Sequence, residues 1–379
     1  MGEGGNKREH IYYFDYLRII GLVSVIFMHT AAAPLRAQAG TADWQLTSVF
    51  TSFAFTAVPL FLMMSGYLTL SSEKTRDYGY ILKNRLPRLV CTLAVWTAAA
   101  SLWLAFSGGG NVPRSFIIHL LSGFSRPVMV HFWYMYTLIA LTVVSPFLYL
   151  GLAGLDRTGR TVTAACIALV LLQTAITCLL PQRLKPYGVI DIFYALRLFG
   201  GSLSAYLLGW FLGNMKKHIP NAALIAVFAA DLCVIALGTA LRSAAGGKYD
   251  ASFQSQSGGF EILLASCIFL FFRQNFNRES AFRRAMAPMV QLSLGIYLVH
   301  NIFVSMAGAA GFTGTGFIYT CAKTLCVLLA SYLTVKTLAS VKVLCWPFTG
   351  VSFAAACRGC SWQHTFRRRG DGANGDKNI

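Results

Sequence analysis

The sequence predicts an all-α, polytopic membrane protein of about ten transmembrane helices with both termini cytoplasmic, and three observations carry that prediction. Its 379 residues are 56% hydrophobic and only 12% charged, with a mean hydropathy of +0.57. A water-facing surface draws on roughly 25% charged residues, so a soluble domain is excluded. Long apolar runs recur from Ile11 to Val341. Each approaches or exceeds the ~20 residues that carry a helix across ~30 Å of hydrocarbon. They lack the short alternating pattern of barrel strands. Finally, the basic residues sort by side.

The predicted spans are Ile11–Ala33, Leu46–Leu70, Lys83–Phe106, Met129–Leu152, Thr161–Leu180, Ile190–Met215, Asn221–Leu241, Gly258–Asn275, Met289–Gly311 and Phe317–Val341. The first run is too long for a cleaved signal segment and contains Asp15, Arg18 and His29, so it is expected to remain as a helix. Neither a repeat nor a Gly/Pro-rich linker divides the chain. Residues 1–10 and 342–379 read as cytoplasmic tails around one membrane domain, 11–341, the second tail basic and expected to be largely disordered.

With both ends inside, 21 of the 32 Lys and Arg residues fall in cytoplasmic segments, 7 in outer loops and four (Arg18, Arg197, Lys323, Lys336) within spans. The net charge of +18 therefore reports topology and contact with anionic membrane lipids. It is scattered over short loops, which excludes a nucleic-acid-binding patch. Of the ten cysteines, seven lie inside spans, where Cys acts as a small hydrophobe. Cys357-Arg-Gly-Cys360 with His364 is a lone pair in a basic tail, and no metal site is expected.

Ionisable side chains within a bilayer are costly and normally face the interior of a bundle, so they direct the search for function. Arg18 and His29 are 11 residues apart, about three turns, and share a helix face roughly 16 Å apart along the axis. A buried arginine holds an anion or a developing oxyanion, and histidine takes and returns a proton, a pairing that suits group transfer. Against this, Arg18 can simply pair with Asp15, and His29 can simply bond a neighbouring helix.

Lys83, Arg85 and Arg88 gather where the third span opens, a place for phosphates or for ordinary anchoring to lipid. His131, Trp133, Tyr134 and Tyr136 form an aromatic group at the outer start of the fourth span. Such a group is either an interfacial belt or the wall of a sugar site. Asp191, Arg197, Asp231 and Glu261 are further in-span charges, and His300 at mid-depth can support the site from behind.

In order along the chain stand Phe14-Asp15-Tyr16-Leu17-Arg18 with Val25-Ile-Phe-Met-His29, Val58-Pro59-Leu60-Phe61-Leu62-Met63-Met64-Ser65-Gly66-Tyr67, Arg85-Leu-Pro-Arg88, His131-Phe-Trp133-Tyr134 and Ser293-Leu-Gly295-Ile-Tyr297-Leu-Val-His300. This ordered set resembles the acyltransferase 3 family of membrane O-acyltransferases over roughly residues 11 to 341. Lys83-Asn-Arg85 is a sparser basic cluster than is common there. The resemblance implies transfer of an acyl group, usually acetyl, from cytoplasmic acetyl-CoA to a hydroxyl of an extracytoplasmic or lipid-linked glycan.

By that resemblance His29 and Arg18 are catalytic, and Lys83, Arg85 and Arg88 contact the donor. From their own positions in the spans, His131, Trp133, Tyr134 and Glu261 are expected to meet the acceptor, with Asp15, Tyr297 and His300 behind them. The expected location is the cytoplasmic membrane of a bacterium. Some relatives carry an SGNH-type hydrolase domain after the membrane part, which is not found in this sequence, so the membrane domain is expected to complete transfer itself or through a partner. The competing reading is a carrier of a small solute or glycan precursor, which would place no catalytic demand on His29; paired broken helices in inverted repeats, its usual mark, are not evident. No interface motif fixes an oligomeric state.

Overall fold

Backbone N–H and C=O groups find no partner in hydrocarbon except within the chain. The computed structural model satisfies them with helices alone: no strand occurs among the described residues, which are 10–37, 40–179 and 200–350. In chain order the helices are α1 (Tyr12–Ala37), α2 (Ala42–Ala54), α3 (Ala57–Leu70), the single turn α4 (Tyr78–Tyr80), α5 (Leu86–Ser107), α6 (Val112–Ser122) and α7 (Trp133–Gly154). They continue with α8 (Arg157–Leu179), α9 (Gly201–Asn214), α10 (Asn221–Gly246), α11 (Gly259–Asn275), α12 (Ala281–Ala309), α13 (Phe317–Ser340) and α14 (Lys342–Thr349).

Eight helical stretches among the described residues are long and apolar enough to span a bilayer. α11, at 17 residues, is shorter than these. α9 has 14 described residues and begins where the undescribed stretch 180–199 ends. Asp191 and Arg197 lie in that stretch, and Cys357, Cys360 and His364 also lie outside the described residues.

Two predicted runs change shape. Leu46–Leu70 divides at Phe55 and Thr56, because Pro59 has no N–H to give the carbonyl four residues back. The Thr56 hydroxyl and N–H both donate to Phe53 O instead, at 2.7 and 3.1 Å. Lys83 stands within a π turn (Ile81–Arg85), so the third helical stretch starts earlier, at Tyr78.

Besides the single turn α4, two helices lie outside the predicted spans. Asn111 caps α6 by accepting from Arg114 N at 3.0 Å, and Pro113 sits in its first turn. No residue of α6 is buried, and Ile117, Ile118 and Leu121 are exposed, a surface helix that presents apolar side chains outward. α14 folds back into the bundle: Trp96 Nε1 donates to Phe348 O at 3.0 Å, and Cys345 is 2% exposed. The first residues assigned to the second tail thus pack with the membrane domain.

Small residues set the closest helix contact. A Cβ on Gly66 would stand 1.8 Å from Tyr206 O, and one on Gly209 would stand 2.1 Å from Met63 O, so α3 and α9 touch backbone to backbone. At the end of the bundle that holds the chain's start, Tyr12 N donates to Asn277 Oδ1 at 3.0 Å and Tyr16 bonds Ser280 at 2.5 Å. At the far end, Trp44 Nε1 donates to Leu35 O at 2.8 Å and Gln254 Nε2 donates to Ser48 O at 3.1 Å.

Candidate functional site

α1 runs the length of the bundle and carries Arg18 near its start and His29 towards its far end. Around His29 the fold gathers two more imidazoles. His131 comes from a 3-10 turn (Val130–Phe132) that leads into α7, and His300 comes from α12. Ring centres are 5.1 Å apart for His29 and His300, 4.7 Å for His131 and His300, and 5.9 Å for His29 and His131. His131 and His300 are buried, whereas His29 is half-buried and lines a cavity.

Backbone carbonyls fix two of these rings. His300 Nδ1 lies 2.5 Å from Tyr297 O, and His131 Nε2 lies 3.2 Å from Leu298 O. A carbonyl oxygen only accepts, so those two nitrogens carry the hydrogens. In the neutral rings His300 Nε2 and His131 Nδ1 are then bare acceptors, and neither has a partner among the described residues. The Tyr297 hydroxyl donates to His131 O at 2.5 Å, tying α12 to the turn that carries His131.

Cavities approach this cluster from both ends. The far-end cavity, about 410 Å³, is lined by His29, His131, Trp133, Arg36, Gln256 and Asn301, among others. Among the described residues its wall has no carboxylate. Tyr249, in the connection before α11, also lines it and donates its hydroxyl to Gln254; burial pushes its phenol up, so it stays a neutral donor. The second cavity, about 380 Å³, is lined by Arg18, Ser65, Arg88, Tyr134 and Gln291. Tyr297 borders both cavities. Phe61, Tyr134 and Tyr297 cluster at the junction, their ring centres 5.5 to 6.4 Å apart.

The remaining predicted residues separate. Arg88 faces the second cavity, and its Nε has no partner among the described residues. Arg85 donates to Thr75 Oγ1 at 3.2 Å and lies over the Tyr80 ring, while Lys83 is exposed and borders none of the cavities described. Asp15 is held chiefly by Arg283 at 3.0 Å and His10 at 2.8 Å, with Arg18 farther off at 3.7 Å. Arg18, in this longer pair, also faces cavity space.

Glu261 is fully buried and lines neither cavity; its two carboxylate oxygens have no hydrogen-bond partner among the described residues, and the same holds for Asp231 Oδ2. Lys323 donates to Phe312 O, and Lys336 lies over the Tyr332 ring, which accounts for both as structural. Gln256, Asn301 and Gln291 had gone unremarked in the sequence, because uncharged amides give no signal in a hydropathy profile.

A polytopic helical membrane protein with a histidine cluster between two opposed cavities is the class that fold and site define. The profile of the acyltransferase 3 family, described as an acyltransferase domain, matches residues 11–336, and the chain belongs to that family. No curated protein and no solved structure is matched.

Proposed function

We propose that this protein is a membrane O-acetyltransferase that carries an acyl group from acetyl-CoA, on the cytoplasmic side, to a hydroxyl of an extracytoplasmic or lipid-linked glycan. The observation that carries the reading is the pair of cavities meeting at Tyr297, one walled by Arg18 and Arg88 and the other by His29 and His131. The excess of basic loops at the chain's starting end supports a cytoplasmic position for that end. The donor therefore enters past Arg18, and the acceptor arrives between Trp133 and Asn301 beside His29.

His29 removes the acceptor's hydroxyl proton as the oxygen attacks the thioester carbonyl. The C–O bond forms, the C–S bond breaks, and the proton passes to the departing CoA thiolate. The bare Nε2 of His300 accepts from His29 through a bridging water, holding the ring in one tautomer. Arg18 attracts the donor and balances negative charge along its path. Aromatic faces at Trp133 suit a sugar ring. Such a protein works in the cytoplasmic membrane of a bacterium, in contact with its lipids.

The test is release of free CoA from acetyl-CoA by purified protein, wild type against His29→Ala and Arg18→Ala, each checked for folding. Turnover by the wild type and its loss in His29→Ala support the reading. Absence of turnover, together with a solute flux that survives His29→Ala, would replace it with the carrier reading.

A further inference from the structure

A third cavity among the described residues, larger than the two above, adjoins the site at Arg18. It opens at the end of the bundle that holds the chain's start, has a volume of about 920 Å³, and is lined by Arg18, Lys216, Lys217, His218 and Arg273. Among the described residues Asp15 is the only carboxylate in its wall, and Arg283 and His10 already engage it. Lys216 and Lys217 are exposed, and no carboxylate lies within ion-pairing distance of them among the described residues.

The connection bearing these lysines is clamped in place. Arg273 Nη2 donates to Met215 O at 2.5 Å. Gln274 accepts from Ile219 N at 2.9 Å and donates to Ile219 O at 3.1 Å. Asn221 and Asn275 exchange amide bonds, both at 3.0 Å. Two ammonium groups are thus presented into the vestibule from a strap fastened at both ends. Fixed cations facing a polar cavity favour a multiply charged anion, since no ordering of the loop has to be added to the cost of binding. Arg18 and Leu68 border both this vestibule and the cavity that reaches Tyr134 and Tyr297, so the two are neighbours on either side of Arg18.

We infer that the vestibule docks the phosphorylated nucleotide of an acyl-CoA donor, with Lys216, Lys217 and Arg273 meeting the phosphates while the acyl-bearing arm passes Arg18 towards His29. The inference rests on the acyl-transfer reading for the identity of the donor. It moves the phosphate contacts away from Lys83 and Arg85, one exposed and the other tied to Thr75 and Tyr80. The same cations suit an anionic lipid headgroup, and the experiment separates the two sources.

CoA itself is titrated calorimetrically into the protein in nanodiscs of neutral lipid, and again with phosphatidylglycerol included. K216E/K217E is expected to weaken CoA binding by about tenfold or more, and the milder K216Q/K217Q by less, with melting temperatures unchanged. The exposed Arg76→Glu is expected to leave affinity within about twofold, and phosphatidylglycerol is not expected to compete. Unchanged CoA affinity in K216E/K217E overturns the inference, as does displacement of CoA by phosphatidylglycerol. Turnover of acetyl-CoA is followed in parallel. Vestibule-dependent CoA binding without acyl turnover would retain the dock and sink the acyl-transfer reading; turnover with an unaltered KM in K216E/K217E would do the reverse.

Discussion

The two ends of α1 handle polarity in opposite ways. Near Arg18 the protein uses full charges: Arg283 bridges Asp15 and Glu279 at 3.0 and 3.1 Å, and the His10 ring lies 2.8 Å from Asp15. Near His29 full charges are sparse: among the described residues the wall of the far-end cavity contains imidazoles, amides and rings with Arg36 as its only fixed charge. Hydrolases that depend on a histidine commonly orient it with a carboxylate. Here backbone carbonyls of Tyr297 and Leu298 orient two of the three rings. A carbonyl fixes a tautomer without bringing an ion into hydrocarbon, which avoids the cost of several kcal/mol that a poorly compensated buried charge carries. The lesson is a division by setting: full charge is kept where loops and water screen it, and the imidazole cluster is kept where the surroundings are largely neutral.

That contrast breaks most sharply at His29. His29→Ala should lower kcat by roughly 10²- to 10⁴-fold, the usual worth of a positioned general base, in a CoA-release assay. The melting temperature should hold, because His29 is half-buried and no hydrogen bond of its side chain is found among the described residues. A variant keeping more than about a tenth of wild-type turnover would move the base elsewhere in the cluster.

The next effect concerns the frame both cavities share. Gly66→Ala forces a Cβ to within 1.8 Å of the Tyr206 carbonyl oxygen, which has no rotamer to escape into. The expected destabilisation is about 3 kcal/mol or failure to fold, read by thermal melting in detergent. Gly151→Ala meets nothing within 4 Å and serves as the control, neutral or slightly stabilising. Equal melting of the two variants would mean that α3 and α9 are not held as close as described.

A smaller effect is expected at Tyr297→Phe, which removes the hydroxyl bond to His131 O and little else. Stability should fall by ~1 kcal/mol. Turnover should fall by about tenfold through loosening of His131, with CoA affinity unchanged, since the lost bond lies on the acceptor side of the junction. A loss of CoA affinity instead would place the tyrosine on the donor path.

Much of this site was legible in the sequence because ionisable residues are rare in spans. Arg18, His29, His131 and His300 stood out on that ground alone, and helical periodicity placed Arg18 and His29 on one face. What periodicity cannot give is which helices neighbour one another, so the meeting of His131 and His300 with His29 was not foreseen as a cluster. The vestibule was hidden for a related reason. Lys216 and Lys217 read as ordinary loop cations, and only the clamp from Arg273 and Gln274, 55 or more residues away in sequence, makes them a surface with a fixed shape. The divided second span shows a local limit: its hydropathy is continuous, and the break comes from one missing N–H at Pro59. α14 escaped because an eight-residue helix is too short to register as a span.

The smallest effect is expected at Glu261, and it bears on what acidic groups do in the neutral half of the molecule. The side chain is fully buried, and both of its carboxylate oxygens lack partners among the described residues. Asp231, the other buried acid of the α10 and α11 helices, has an unpartnered Oδ2 as well. A carboxylate in that setting stabilises nothing that an amide of the same shape would lose. Glu261→Gln should therefore leave kcat and both KM values within about twofold and hold or raise stability by up to ~1 kcal/mol. If Glu261 instead grips the acceptor, as its position in the sequence suggested, the same substitution would raise the acceptor KM by about tenfold or more while leaving CoA binding untouched. The far-end site would then contain a working charge after all, and the division between the two ends of α1 would be one of degree.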